Sequence, residues 1–272
     1  MTIQQMMLAG SGLLEFNVTI AADTTDYNLL TVLQAGPYNW NNLNPARVTV
    51  TINSAVQVSS TSTGTPAFTT GSFVANSLLY IINNGSIKGK GGAGGVGVND
   101  SPPYTTPAAG NGGTALSIAS TLSGKVTITN GSGEIFGGGG GGGGGGSALF
   151  QGGGKDNGWD IGGGGGGGGA GTGAGGLGGD AIYGDVNYNG LPGSSGTTSA
   201  GGAGGAQFCG LECNGAGGAG GGFGAVGVVG GNGYSNTGGL AGGAGNAIAL
   251  NGGSSPTFIS GNDGTHVKGA VS

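Results

Sequence analysis

Charge is nearly missing from this chain. Only 6% of its 272 residues are charged, six Lys+Arg against eleven Asp+Glu, for a net charge of −5. Six scattered basic residues make no basic stripe, which argues against nucleic acid as a partner. There is one histidine, His266, and there are two cysteines, Cys209 and Cys213. A structural zinc site needs four ligands, so this inventory argues against a metal centre. Proline is scarce, and no strict Gly-X-Y frame exists, which excludes a collagen triple helix. No window holds eighteen apolar residues, so no membrane-spanning helix is expected. The N-terminus, MTIQQMMLAG, has neither a basic n-region nor a long apolar core, so synthesis in a cytoplasm without a signal peptide is expected. Disordered chains are rich in charge, so a chain this poor in charge has to satisfy its backbone groups internally.

What the chain has is glycine, 76 residues of it. Five of these (Gly10, Gly12, Gly36, Gly64 and Gly71) precede residue 85, leaving 71 for residues 85–272. That shift predicts two domains: 1–84, ordinary and fairly apolar, and 85–272, dominated by glycine. Two tracts are uninterrupted, Gly137–Gly146 and Gly162–Gly169. Glycine loses more backbone freedom on folding than any other residue, and free tracts of this kind are flexible linkers. A packed alternative exists. Polyproline-II geometry has three residues per turn, a rise of about 3.1 Å per residue and no internal hydrogen bonds. Its amides and carbonyls point outward and can bond to neighbouring helices, helped by weak Cα–H···O contacts. A helix with neighbours all round has no room for side chains, so only glycine fits. Ten residues make a rod of about 30 Å.

The N-terminal part reads as a small β-rich domain with one helix. LLEFNVTI (13–20) alternates, with Phe16, Val18 and Ile20 on one side, as a half-buried strand does. ARVTVTI (46–52) alternates through Val48, Val50 and Ile52, SAVQVSS follows after a turn at Asn53-Ser54, and LLYIINNG (78–85) leads to the glycines. DTTDYNLLTVLQAGP (23–37) predicts a short helix, capped by Thr24 or Thr25, with a face of Leu29, Leu30 and Leu33, stopped at Gly36-Pro37.

A pattern recurs within the glycine-rich part: GTAL at 113–116, GSAL at 146–149, GDAI at 179–182 and GNAI at 245–248. The spacing of 33, 33 and 66 residues suggests a structural unit. One unit has room for one rod up, one rod down and two turns. The remaining stretches become loops at the two ends: 98–109, 147–161, 181–199, 206–214 and 225–237. This phasing puts the loops after Ala148 and Ala181 at one end.

IINNGSIKGKGGAGG (81–95), GNGGTALSI (110–118) and VTITNGSGEIFGGGGGGGGGG (126–146) resemble the glycine-rich adhesins at the tip of the long tail fibres of T-even-type bacteriophages. The resemblance covers roughly residues 78–250; residues 1–75 do not carry the family's pattern. It implies a sandwich of polyglycine-II helices whose variable loops, at the exposed end, bind outer-membrane proteins of the host.

The loops hold much of the available chemistry. Tyr104, Phe150, Trp159, Tyr183, Tyr188, Phe208 and Tyr234 are the receptor-binding candidates, because exposed aromatics give large contact area at low entropic cost. Their alternative role is to fold back as caps over the rod ends. Cys209 and Cys213, in CGLEC, can close a small disulfide loop or stay as thiols. GGLGGDAIY (175–183) fits the calcium nonapeptide, with Asp180 as the acid, but such sites need stacked copies and GDVNYNGLP, which follows, does not fit. A polar residue capping a rod end explains Asp180 and its counterparts Thr114, Ser147 and Asn246. Asp156 and Asp160 flank Trp159 without a third polar partner, so no enzyme and no cofactor are expected.

The fold expected is therefore mainly β and irregular: a β-rich attachment domain, then a bundle of packed polyglycine-II helices with loops at both ends. The function expected is that of a virion tail-fibre or tail-tip adhesin. Its N-terminal domain would join other tail or fibre proteins, and its loops would bind a bacterial surface receptor, protein or glycan. Two alternatives are a purely structural fibre or decoration protein, and an ice-binding protein.

Overall fold

The computed structural model describes residues 13–99, 108–148, 162–180, 182–183, 186–187, 189–207 and 214–272. It is built mostly of strands and irregular chain, and among the described residues no helix is long and apolar enough to cross a membrane. The chain divides into two compact units, and the division is not the single cut expected near residue 84. The first unit comprises Met1–Gly89, Thr114–Phe136 and Asn246–Ser272; the second comprises Lys90–Gly113 and Gly137–Gly245.

The first unit winds through successive turns, each adding one strand to each of three parallel sheets. Turn one holds β1 (Leu14–Ile20), β2 (Thr24–Thr25) and β3 (Tyr27–Asn28), followed by α1 (Leu29–Gln34). Turn two holds β4 (Ala46–Ile52), β5 (Gln57–Ser59) and β6 (Phe68–Thr69). Turn three holds β7 (Leu78–Asn83), β8 (Ser86–Lys88) and, after residues 90–113, β9 (Leu116–Ser117). Turn four holds β10 (Val126–Thr129) and β11 (Glu134–Phe136). The chain then leaves for residues 137–245, which contain the short pair β12 (Ile182–Tyr183) and β13 (Val186–Asn187), and returns as β14 (Ile248–Ala249). Turn five holds β15 (Thr257–Ser260), β16 (Val267–Lys268) and Val271, which bridges to Ile248. The sheets are β1-β4-β7-β10-β15, β2-β5-β8-β11-β16 and β3-β6-β9-β14. This is a three-sided parallel solenoid.

Its core follows from the alternation in the sequence. Side chains on a strand point to opposite faces, and parallel in-register stacking turns each inward residue into a row. Val18, Val50, Ile81 and Ile128 form one row on the first sheet, and Val58, Ile87, Ile135 and Val267 one on the second. Phe68, Leu116 and Ile248 form one on the third. These rows are almost entirely buried, and each fully buried Val, Leu, Ile or Phe contributes about 1.5–3 kcal/mol. At the corner between the first two sheets the row turns polar: Asn83 and Asn130 are both fully buried, with Asn83 Nδ2 donating to Asn130 Oδ1 at 2.7 Å.

The helix is shorter than the expected span over 23–37. Thr24 pairs with Val58 and Tyr27 with Phe68, so residues 24–28 complete turn one of the solenoid. Asn28, not a threonine, is the cap, its side chain accepting from the Thr31 amide at 3.2 Å. Leu29 and Leu33 are fully buried. Tyr27 stacks on Phe68, with ring centroids 5.2 Å apart. Burial, together with the nearby Tyr38 phenol, pushes its hydroxyl pKa up to about 12.

The second unit is a bundle of extended runs joined by backbone hydrogen bonds. Among the described residues there are ten: run 1 (90–99), run 2 (108–113), run 3 (137–147), run 4 (162–170), run 5 (173–180), run 6 (190–197), run 7 (200–207), run 8 (214–222), run 9 (225–231) and run 10 (238–245). Every third residue of a run faces the same neighbour. In run 4 the amides of Gly163, Gly166 and Gly169 donate to Val98, Gly95 and Gly92 of run 1. Those of Gly164, Gly167 and Ala170 donate to Gly215, Gly218 and Gly221 of run 8, and those of Gly165 and Gly168 to Leu191 and Ser194 of run 6. Its carbonyls accept in the same three phases from runs 5, 3 and 7. Run 4 thus has six bonded neighbours. Run 3 also has six: runs 1, 2, 4, 8, 9 and 10. The other eight runs form a ring around these two, each bonded to the next.

The two interior runs are the two uninterrupted glycine tracts. A methyl group on Gly142 or Gly166 would overlap a carbonyl oxygen of the neighbouring run, Gly218 in the first case and Gly142 in the second. A ring run needs glycine where it faces inward, and also where it presses on the next ring run, as Gly178 does on Gly190 and Gly204 on Gly217; its outward positions are free to vary. In run 6 Gly190 and Gly196 are buried while Leu191, Pro192, Ser194 and Ser195 are exposed. In run 9 Gly227 is buried, whereas Val226, Val228 and Val229 are exposed. Residues 190–197 and 225–231 are therefore runs, not parts of the loops expected at 181–199 and 225–237.

Candidate functional site

The ends of the runs decide from which side each connecting segment leaves. Residues 92, 95 and 98 of run 1 bond to 139, 142 and 145 of run 3 in rising order, so these two are parallel; run 4 pairs with both in falling order. Followed round the bundle, odd-numbered runs point one way and even-numbered runs the other. Five connections, after runs 1, 3, 5, 7 and 9, therefore share one end. At the opposite end lie the short turns at 171–172, 198–199 and 223–224, and all four points where the chain enters or leaves this unit (Lys90, Gly113, Gly137 and Gly245).

This phasing corrects the 33-residue repeat. Gly146–Ala148 and Gly179–Asp180 lie at the end with the five connections, as expected for the segments after Ala148 and Ala181. The other two copies lie at the exit end and run into β9 and β14, where Leu116 pairs with Ile248. The spacing joins opposite ends of the bundle and is not one repeating unit.

At the five-connection end, runs stop having runs beside them, and short polar side chains replace the missing partners. Asn99 Oδ1 accepts from the Asp180 amide at 2.9 Å. The buried Asn214 donates through Nδ2 to the Gly162 carbonyl at 2.5 Å. Asn236 Nδ2 donates to Oγ of the buried Ser147 at 2.8 Å. Asp180 itself is exposed, and among the described residues no group of three His, Cys, Asp or Glu side chains comes together.

Of the aromatic candidates, Tyr234 is described in full: it is 71% exposed, in the loop 232–237. Tyr183 lies in β12, its backbone paired antiparallel with Val186. Tyr104, Phe150, Trp159, Tyr188 and Phe208, and Cys209 and Cys213, lie outside the described residues. All of these positions belong to the five connections. By sequence so do Asp100, Asp156, Asp160, Asp185 and Glu212, with Lys155 as the one basic residue, and Asp180 ends run 5. Lys90, the other lysine of this unit, starts run 1 at the opposite end, where Nζ donates to Thr172 Oγ1 at 2.7 Å. Of the groups that close the rods, the sequence had offered Ser147 as a rod-end cap; it had not offered Asn99, Asn214 and Asn236, whose available signal was an Asn at or within one residue of the end of a glycine-rich stretch.

The family model of the phage tail fibre adhesin Gp38 matches residues 15–271. The chain belongs to that family and is a phage tail-fibre adhesin, a component of the virion tail fibre. The match includes most of residues 1–75, which the resemblance in the sequence had left out. None of the curated proteins matches the chain. Among solved structures, the crystal structure of the gp37-gp38 adhesin tip complex of the bacteriophage S16 long tail fiber is similar, with a TM-score of 0.56 and 23% identity. The similarity covers 95% of this chain and 82% of that one, and at this identity it speaks for the fold.

Proposed function

We propose that this adhesin is the receptor-reading tip of its fibre. In this reading the ten runs are polyglycine-II helices, since bonding to the same neighbour at every third residue is what three residues per turn requires. They make a platform with a backbone-only interior, and the five connections at one of its ends bind a bacterial surface receptor. The observation that carries the reading is the sorting of ends: the connections after runs 1, 3, 5, 7 and 9 all leave from one end of the bundle, and every chain entry and exit lies at the other. A core without side chains lets loops vary without repacking anything beneath them.

The solenoid unit mounts the protein on another tail or fibre protein. The similar solved structure is a complex of two fibre proteins, which supports such a partner. The protein works by binding rather than by catalysis, needs no cofactor, and is made in the host cytoplasm before assembly into the virion.

Labelled protein applied to a panel of bacterial strains tests the reading. Wild type is expected to adsorb to a narrow set, and Trp159→Ala with Tyr188→Ala to lose that set while unfolding at the same temperature. Gly222→Ala, at the opposite end and with nothing within 4 Å of the added methyl, is expected to adsorb like wild type. Equal adsorption by the loop variant would favour a purely structural fibre protein.

A further inference from the structure

We infer that Ser147 and Asn236 hold the loop 232–237 in its binding form before any receptor arrives, so that Tyr234 acts as a rigid anchor for an uncharged receptor pocket. This rests on the receptor reading above and adds to it two positioning residues and the chemistry of one contact.

The loop is closed by bonds on both sides of Tyr234. The Gly233 amide donates to the Asn236 carbonyl at 2.8 Å, and the Gly238 amide to Asn232 Oδ1 at 3.0 Å. It is also tied down from beneath. The Ser235 amide donates to the Ser147 carbonyl at 3.4 Å, and Asn236 Nδ2 donates to Ser147 Oγ at 2.8 Å. Gly233 lies so close that a methyl group there would overlap the Ser147 carbonyl oxygen. Ser147 is fully buried. It ends run 3, an interior run, and the preceding Gly146 donates to Gly231 at 2.9 Å and accepts from Gly215 at 2.7 Å. The loop is therefore anchored to the interior of the bundle as well as to its own stem.

Above this base Tyr234 is 71% exposed. Tyrosine presents a large amphipathic surface with only two side-chain torsions to fix, and a loop already ordered saves the ordering cost at the moment of binding. The loop sequence, Asn-Gly-Tyr-Ser-Asn-Thr, carries no charge. The chemistry that fits is a pocket that takes a phenol ring and a hydroxyl hydrogen bond, not a charged group.

Two measurements on the full chain test this. Amide exchange of the free protein is expected to show Gly233 and Gly238 protected. Asn236→Ala and Ser147→Ala are each expected to speed that exchange by roughly ten-fold, and the double variant to do no more than either alone, because both remove one bond. Adsorption of labelled protein to whole cells of the strain panel is expected to fall about ten-fold or more for Tyr234→Ala, by the same factor at low and high salt, and several-fold for Asn236→Ala. Unprotected Gly233 and Gly238 amides in the wild type would overturn the inference without reference to any receptor. Wild-type adsorption matched by Tyr234→Ala would overturn it alone. Adsorption of the wild type to no strain would overturn the receptor reading, and this inference with it.

Discussion

The amide of Gly142 donates to the carbonyl of Gly167 at 2.8 Å, and this bond, with Gly139 to Ala170 and Gly145 to Gly164, joins the two unbroken glycine tracts to each other. The tracts are adjacent because both are interior. A run ringed by six others has no direction left for a side chain, and a run on the ring has one or two. Length of uninterrupted glycine therefore reports the number of neighbours.

That relation predicts the cost of alanine at each glycine. Gly142→Ala is expected to destabilise by about 3 kcal/mol or more, since rigid backbone, not a movable side chain, occupies the space. Gly222→Ala, in a ring run, meets nothing within 4 Å, and is expected to stabilise by about 0.5 kcal/mol by restricting the unfolded chain. Urea midpoints of the two variants check the contrast.

Thr172 sits in the turn between runs 4 and 5 with φ at 63°. A β-branched residue is strained in that region, by about 1–2 kcal/mol. Thr172→Gly removes the strain and gives up one exposed hydrogen bond to Lys90. The expected outcome is a net gain of about 1 kcal/mol, read by thermal unfolding.

Asn130 links three turns of the solenoid. Its Oδ1 accepts from Asn83, and its Nδ2 donates to the Gly261 and His266 carbonyls at 3.2 and 3.3 Å. Asn130→Ala takes one hydrogen bond from Asn83 Nδ2, which keeps its bond to the Glu134 carbonyl, and removes the donor shared by the last turn. A loss of about 2–3 kcal/mol is expected, with the amides of residues 261–268 exchanging faster than those of turn two.

Tyr27 predicts alkaline sensitivity. Its folded pKa, about 12, lies above the ordinary phenol value of 10.0. Its contribution to stability is therefore complete below pH 10 and is lost as pH rises from there through 12, because the unfolded chain ionises first. Denaturant midpoints between pH 9 and 12 should fall, and Tyr27→Phe should flatten that fall.

Much of the solenoid was legible in the sequence where a strand is long enough to alternate. Phe16, Val18 and Ile20, then Val48, Val50 and Ile52, point inward as their spacing requires. The return of residues 114–136 and 246–272 to the same unit was not legible. Leu116–Ser117 and Ile248–Ala249 are two-residue strands, too short for a period, and they are strands only because they stack on Phe68 and on each other. Runs 6 and 9 were hidden for a different reason: about one glycine in three looks like loop composition, yet it is all that these two ring runs keep.

By itself the sequence determined that the glycine tracts would be packed and not free, because a chain with so little charge and so few large side chains has only backbone to satisfy backbone. It also delimited the segments between the tracts, since those are defined by what is not glycine. Only the tertiary structure decided that the odd-numbered runs all finish at one end, while the chain enters and leaves the unit at the other. That sorting depends on the direction of each run, and direction is set by which neighbour receives each amide, a choice that a tract of identical residues does not encode.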